Sequence, residues 1–391
     1  MADILLGFVG DLLVNRSDPD APFVPVRELL GQADILFGNM EGAYTDTPHV
    51  APGQLDMISG KAANLAALGR AGFHVLSLAN NHILDVGTEA MLENRARLAA
   101  MGVATCGAGS DLEDARAPAL VDRGGIRFAY LGYASVFPFG YEAYATIPGL
   151  VPIRAYDHWR PAFFNLHMPG ARPIASTVPD ERDLANLVED IARARKDADI
   201  VITSFHWGDQ SRPFHLTDHE TRTARFCIDH GADMVIGHHH HAMRGIEWYC
   251  GKPILYGLGH FVFDFRLNLT PDQLEAFKMQ LSRGDLWDAP YVVGPRDGWP
   301  YLPMHEDMRL TMVAFATVGS DGIDAVSVVP CRLQPDGAVQ PVAAGDPAED
   351  QWSEYFQNCL DWPGLNGAMS ASSIPGLPLS AVGITPRRGR T

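Results

Sequence analysis

Short apolar runs at 4–10, 34–40, 73–78, 126–133, 199–205, 233–237 and 253–256 alternate with helical patterns along the first two thirds of the chain. Runs of this length bounded by turn residues read as buried strands, and their alternation with helices selects an α/β fold whose sheet is largely covered. The clearest helical pattern spans 183–196, where Leu184, Leu187, Val188 and Ile191 recur at i, i+3, i+4 and i+7 opposite a charged face. A second covers about 217–230, with Ala224, Cys227 and Ile228 on one side. Segments 61–71 and 88–101 are rich in the helix formers Ala and Leu. After about residue 300 the pattern becomes strands alone, 309–318 and 325–333 about the turn Gly319-Ser320-Asp321-Gly322, which reads as a hairpin closing the sheet edge.

This order gives one domain over 1–345, interrupted by long insertions at about 134–180 and 266–307, followed by an irregular C-terminal extension, 346–391, rich in Ser, Pro and Gly. Insertions of that length in a compact domain are commonly functional lids, and the aromatic content of Phe137-Pro138-Phe139-Gly140-Tyr141 favours that reading. With 47% hydrophobic residues the chain can bury a sizeable core. Its formal charge of −17 leaves no basic stripe, so nucleic acid is not an expected partner. The five cysteines are scattered with no CxxC pair, which points to neither a disulfide framework nor a zinc knuckle and suggests a reducing, cytoplasmic setting. The apolar stretch 4–9 is too short for a signal peptide, and no run of about 18 apolar residues suggests a membrane span.

The functional signal lies in how the strands end. Gly10-Asp11, Asn39-Met40-Glu41, Asn80-Asn81-His82, His206-Trp207-Gly208 and Gly237-His238-His239-His240-His241 each put metal-competent side chains just beyond an apolar run. Ligands of open α/β sheets bind beyond the carboxyl ends of the strands, so five such ends converge on one site. Singly, Asp11 could cap a turn, the Asn run could cap a helix and His206 could be a buried core histidine. Four consecutive mid-chain histidines after an apolar strand are much harder to assign to structure alone. Mixed oxygen and imidazole donors without a thiolate suit one or two divalent transition ions: Mn²⁺, Fe²⁺, Co²⁺, Ni²⁺ or Zn²⁺.

In order and spacing these motifs resemble the capsule-synthesis CapA family, associated with poly-γ-glutamate biosynthesis and placed in the calcineurin-like metallophosphatase superfamily. The run Gly251–Asp264, with Tyr256-Gly257-Leu258-Gly259-His260-Phe261, is similar to the family's strand after the histidine cluster, and the likeness covers roughly residues 3–265. The resemblance implies a metallophosphatase-like two-sheet sandwich flanked by helices (α/β/β/α). It implies that Asp11 binds one metal, that Glu41 is a bridging carboxylate, and that Asn81 and His206 complete a second site. It also implies His82 as general acid or transition-state stabiliser, oriented by Asp85. The family's Gly-x-His-Pro-His aligns its ligands with His239 and His241, with His238 an alternative because His240 replaces the proline. Two departures stand out: Leu13 occupies the place of a usual ligand histidine, and His260 that of a usual asparagine.

The resemblance implies a metal-dependent hydrolase of a γ-glutamyl or other peptide-like amide or ester, with a small-molecule or peptide substrate. Two other readings remain open at this point, with simple phosphomonoesterase activity ranked behind them because Leu13 breaks the dinuclear pattern. One is a peptide epimerase that abstracts an α-proton with Asp11, His260 or His305 as base and acid; the other is a non-catalytic scaffold of capsule assembly.

Overall fold

The computed structural model describes residues 4–50, 58–161, 173–266, 298–301, 304–320, 322–374 and 379–387, with the single positions 272, 275 and 279. Strand Ile4–Leu13 is central to the larger sheet. On one side it runs parallel to Ile35–Met40, followed by Val75–Ser77 and Ala104–Cys106. On the other it pairs antiparallel with Leu310–Gly319 and, at its carboxyl end, parallel with His260–Phe263. The second sheet places Met234–His238 and Ile126–Ala134 on either side of Ile200–His206, all parallel, with Lys252–Leu255 beyond Met234–His238. The carboxyl ends of both parallel sets face one crevice, as the apolar-run pattern predicts.

Apolar alternation explains the layering. Leu6, Phe8, Ile35, Phe37 and Val75 from one sheet meet Phe128, Tyr130, Ile202, Met234 and Ile236 from the other. Phe37 stacks on Tyr130 across the gap, ring centroids 5.5 Å apart. The opposite faces are covered by helices. Glu181–Asp197 begins at Asp180, whose carboxylate accepts from Arg182 N and Asp183 N, and it buries Leu187, Ile191 and Ala194 against Val201 and Phe205. Thr88–Ala100 covers the larger sheet through Ala90, Met91 and Leu98. Each fully buried aliphatic side chain contributes roughly 1.5–3 kcal/mol. The result is the two-sheet, helix-flanked α/β sandwich expected of a metallophosphatase-like chain.

Three expectations need correction. Segment 346–391 is not irregular: it forms helix Pro347–Asp361 and the hairpin Gly367–Ser373/Ser380–Pro386. The helix buries Trp352, Tyr355, Phe356, Cys359 and Leu360, an i, i+3, i+4, i+7, i+8 stripe, in the inter-sheet core. Consequently Leu310–Gly319 and Gly322–Leu333 do not close the sheet: Ser380–Pro386 pairs with Gly322–Leu333, and Gly367–Ser373 is the edge. Segment 61–71 is a 3-10 turn, Ala62–Leu65, running into the short helix Ala66–Arg70, which stops before Gly72 at φ 94°.

Within 134–180 the described residues include the hairpin Ala155–Arg160/Ile174–Pro179, whereas most of 266–307 lies outside the described residues. Among the described residues no helix is long and apolar enough to cross a membrane.

Candidate metal centre

Asp11 reaches the crevice because its strand approaches the turn before His260 very closely. A Cβ on Gly10 would lie 1.8 Å from the Gly259 carbonyl, to which Asp11 N donates at 3.1 Å, so only glycine fits there. Gly237 plays the same part for the histidine run, where a Cβ would lie 1.9 Å from the Tyr256 carbonyl. These close approaches help gather Asp11, Glu41, Asn81, His82, His206 and His238 to His241 into one cluster, buried except for the half-buried Asn81 and His82.

Asn39 Nδ2 donates to Asp11 Oδ1 at 2.8 Å. His241 Nδ1 lies 3.2 Å from Asp11 Oδ2, and its Nε2 lies 3.6 Å from Glu41 Oε1. His206 Nε2 lies 3.8 Å from the same Glu41 oxygen and 2.7 Å from Asn81 Oδ1. His239, at φ 94°, turns its Nδ1 to within 3.1 Å of His206 Nε2. His238 Nδ1 sits 3.6 Å from Asp11 Oδ1 with its ring against Phe37.

Among the described residues two sets of donors have ligand atoms within 4.8 Å of one another: Asp11, Glu41 and His206, and Asp11, His241 and His260. The cluster fits a cation on a further ground. Among the described residues Asp11 Oδ2, both Glu41 oxygens, both His238 nitrogens and Nδ1 of His241 and His260 are buried without a hydrogen-bond partner. Such orphaned polar atoms are costly in an apolar interior, and a divalent ion coordinated by them removes that cost.

The electrostatics point the same way. Burial would raise the Asp11 carboxyl, but the close approach of His241 and the nearby His238 and His206 rings hold it well below its ordinary value. Burial, with the charges of Asp11 and Asp85, pushes Glu41 well above the usual carboxylate range. Burial lowers His206, His239 and His260, and brings His238 down to about 4, so these imidazoles are neutral at pH 7. Neutral imidazole is the form that ligates a metal.

His82 stands apart from the donors. Its side chain is 14% exposed, against 1% for His206 and 4% for His241. Its Nδ1 lies 2.7 Å from Asp85 Oδ2, and Asp85 is fully buried. His82 Nε2 faces Asn81 Nδ2 at 2.9 Å and Glu41 Oε1 at 3.9 Å.

His305, expected as a base or acid, caps the 3-10 turn Glu306–Arg309, with Nδ1 accepting from Asp307 N at 3.2 Å. Three supporting residues escaped the sequence reading. His240 is buried and its Nε2 meets Glu220 Oε1 at 2.8 Å. Glu220 was visible only as the fourth residue of a Thr217-x-x-Glu220 capping box, and it also performs that duty. Tyr141, in the first insertion, donates to Asp85 Oδ1 at 2.8 Å, and nothing local in the sequence signals that contact.

Fold and site together are those of a two-sheet α/β protein with candidate metal-ligating residues at its strand ends. Residues 5–265 match the family described as bacterial capsule synthesis protein PGA_cap, and the chain belongs to that family. It is 28% identical over 274 residues to the PGA biosynthesis protein CapA of Bacillus subtilis, a match covering 70% of this chain and 64% of that one. It is 36% identical over 202 residues to a probable polyglutamine synthesis accessory protein of Mycobacterium tuberculosis, covering 52% of this chain and 48% of that one. The chain thus matches about half to two thirds of the length of these relatives. Among solved structures it is similar to a calcineurin-like phosphoesterase, YfkN from Bacillus subtilis, at 11% identity and TM-score 0.33, over 92% of this chain and 98% of that one.

Proposed function

We propose that the chain is a metal-dependent hydrolase that cleaves a γ-glutamyl or other peptide-like amide or ester. The observation that carries this reading is the division of labour in the cluster. Asp11, Glu41 and His206 form a closed donor set with orphaned atoms, and His82 stands at its partly open edge on a carboxylate support. Asp11, Glu41 and His206 would hold the ion, with Asn81, His239 and His241 beside them. A divalent ion there lowers the pKa of water and withdraws charge from a carbonyl or phosphoryl oxygen.

The chain's own residues supply the rest. Asp85 accepts from His82 Nδ1 and fixes the ring, so that Nε2 is the atom that exchanges a proton with substrate. When His82 is protonated, Nε2 donates to the departing amine or alkoxide, and Asp85 stabilises the imidazolium. Asn81 links the two halves, its Oδ1 lying 2.7 Å from His206 Nε2 and its Nδ2 facing His82. The substrate class draws support from the relatives named for PGA biosynthesis and polyglutamine synthesis.

The test uses mass alone. Metal-loaded protein is incubated with γ-glutamyl peptides in H₂¹⁸O and separately in D₂O. The expected result is ¹⁸O in a newly formed carboxylate. One deuteron on an uncleaved peptide would replace hydrolysis by α-proton abstraction, and neither label across a broad peptide panel would replace it by a non-catalytic role.

A further inference from the structure

The second donor set, Asp11, His241 and His260, is not used by the reading above. His260 is fully buried and opens strand His260–Phe263. Backbone pairing sets it directly beside Asp11, and the ladder then slips by one residue so that Leu12 pairs with Val262. A bulge at such a point re-aims a side chain, a device common beside active sites. The ring lies over His241 with centroids 4.3 Å apart and planes 21° from parallel. One ring nitrogen, Nε2, lies 3.2 Å from Met304 Sδ, a weak acceptor. The other, Nδ1, is buried without a hydrogen-bond partner among the described residues, as are His241 Nδ1 and Asp11 Oδ2.

A core histidine retained for packing would find a backbone or side-chain partner for both nitrogens or would be replaced by an apolar residue. Here three buried, orphaned donors converge instead. Leu13, where the family resemblance leads one to expect a histidine, is packed with Ile58 and Phe263 and offers no donor. The neighbouring strand contributes an imidazole two residues away in register.

We propose that His260 is a metal ligand that, with Asp11 and His241, holds a second ion next to the one assigned to Asp11, Glu41 and His206, so that Asp11 is the carboxylate common to both. The inference rests on the metal-dependent reading of the site and adds an ion to it. A pair of ions can clamp the attacking and leaving oxygens of a hydrolytic displacement, whereas a single ion cannot.

The test measures Mn²⁺ bound to the full chain after dialysis, by elemental analysis and by electron paramagnetic resonance. Wild type is expected to hold about two ions per chain with the spectrum of a spin-coupled pair, as in two-metal sites. His260→Asn is expected to hold about one, with the six-line spectrum of an isolated ion, and His206→Asn to lose the other ion. Should His260→Asn fail to melt cooperatively, His260→Gln takes its place. Equal ion content and affinity in wild type and the His260 variant overturn the inference. If that shared content is one ion, the proposed function stands without the second site; if it is none, both fall.

Discussion

The Tyr141 hydroxyl donates to one oxygen of Asp85 while the other oxygen holds His82, so the first insertion reaches the proposed acid–base residue through a single carboxylate. Asp85 Oδ2 also accepts from Ile58 N at 2.9 Å, which leaves the carboxylate fixed on three sides. Burial and the Asp85 charge push the Tyr141 hydroxyl upward, so it remains a donor at any working pH. Tyr141→Phe should lower turnover about 10-fold, the equivalent of roughly 1.4 kcal/mol, with metal content unchanged. Steady-state kinetics paired with elemental analysis check this; lost metal would make Tyr141 a prop of the whole cluster.

His82→Ala should keep its metal and lose about 10²–10⁴-fold in turnover, the usual contribution of a positioned acid or base. Asp85→Asn should show a smaller loss of the same kind, because the ring stays in place while its imidazolium loses a counter-charge. A drop in bound metal for His82→Ala would move that residue into the ligand set.

Glu220 joins the helix Asp218–Asp229 to the histidine run. Although burial raises its carboxyl, His240 and Thr217 bring it down to about 2. Replacing Glu220 with Ala removes the partner of a fully buried imidazole and half of a capping box, and should cost about 2–4 kcal/mol in urea unfolding. The midpoint should fall with little change in the slope; an unchanged midpoint would mean that the pair contributes nothing to the fold.

The stability of the metal-free protein should fall with acid. His206, His238, His239 and His260 are depressed on folding by burial, so the unfolded chain binds more protons as pH drops below its ordinary histidine value near 6.5. A group that prefers to be neutral in the folded state is fully stabilising above that value and loses its contribution as pH falls toward the folded one. For His238, lowered to about 4, the loss between pH 6.5 and 4 is on the order of 3 kcal/mol. Melting temperatures of chelator-treated protein from pH 8 to 4.5 should decline through this window, and a flat profile would count against buried neutral imidazoles.

Trp352, in the C-terminal helix, is fully buried and its indole Nε1 donates to the Thr311 carbonyl at 2.8 Å. The Thr311 hydroxyl in turn donates to the His260 carbonyl, so the helix braces the strand that carries a candidate ligand. Trp352→Ala should cost about 3–5 kcal/mol, and a chain ending before Pro347 should not unfold cooperatively. A stable, cooperative truncation would restore the view of 346–391 as a dispensable extension.

The strand and helix alternation, the crevice at the strand ends and the donors themselves were legible in the sequence. They depend on local rules: the period of two in a strand, the 3.6 of a helix, and the geometry that points parallel strands one way. The stripe of Trp352, Tyr355, Phe356, Cys359 and Leu360 was legible too, but the Ser- and Gly-rich hairpin after it obscured that reading, because small-residue strands look like loops until Val326 and Val328 pair with them. Which of four adjacent histidines meets Asp11, His206 or Glu220 was decided only in three dimensions. That choice depends on the left-handed backbone at His239 and His241, at φ 94° and 56°, and on a helix cap some 20 residues upstream. The placement of His260 beside Asp11 and of Tyr141 on Asp85 was decided there as well. Each joins residues far apart in sequence, and contacts of that kind are set by strand register, a one-residue bulge and side-chain packing, none of which a local pattern encodes.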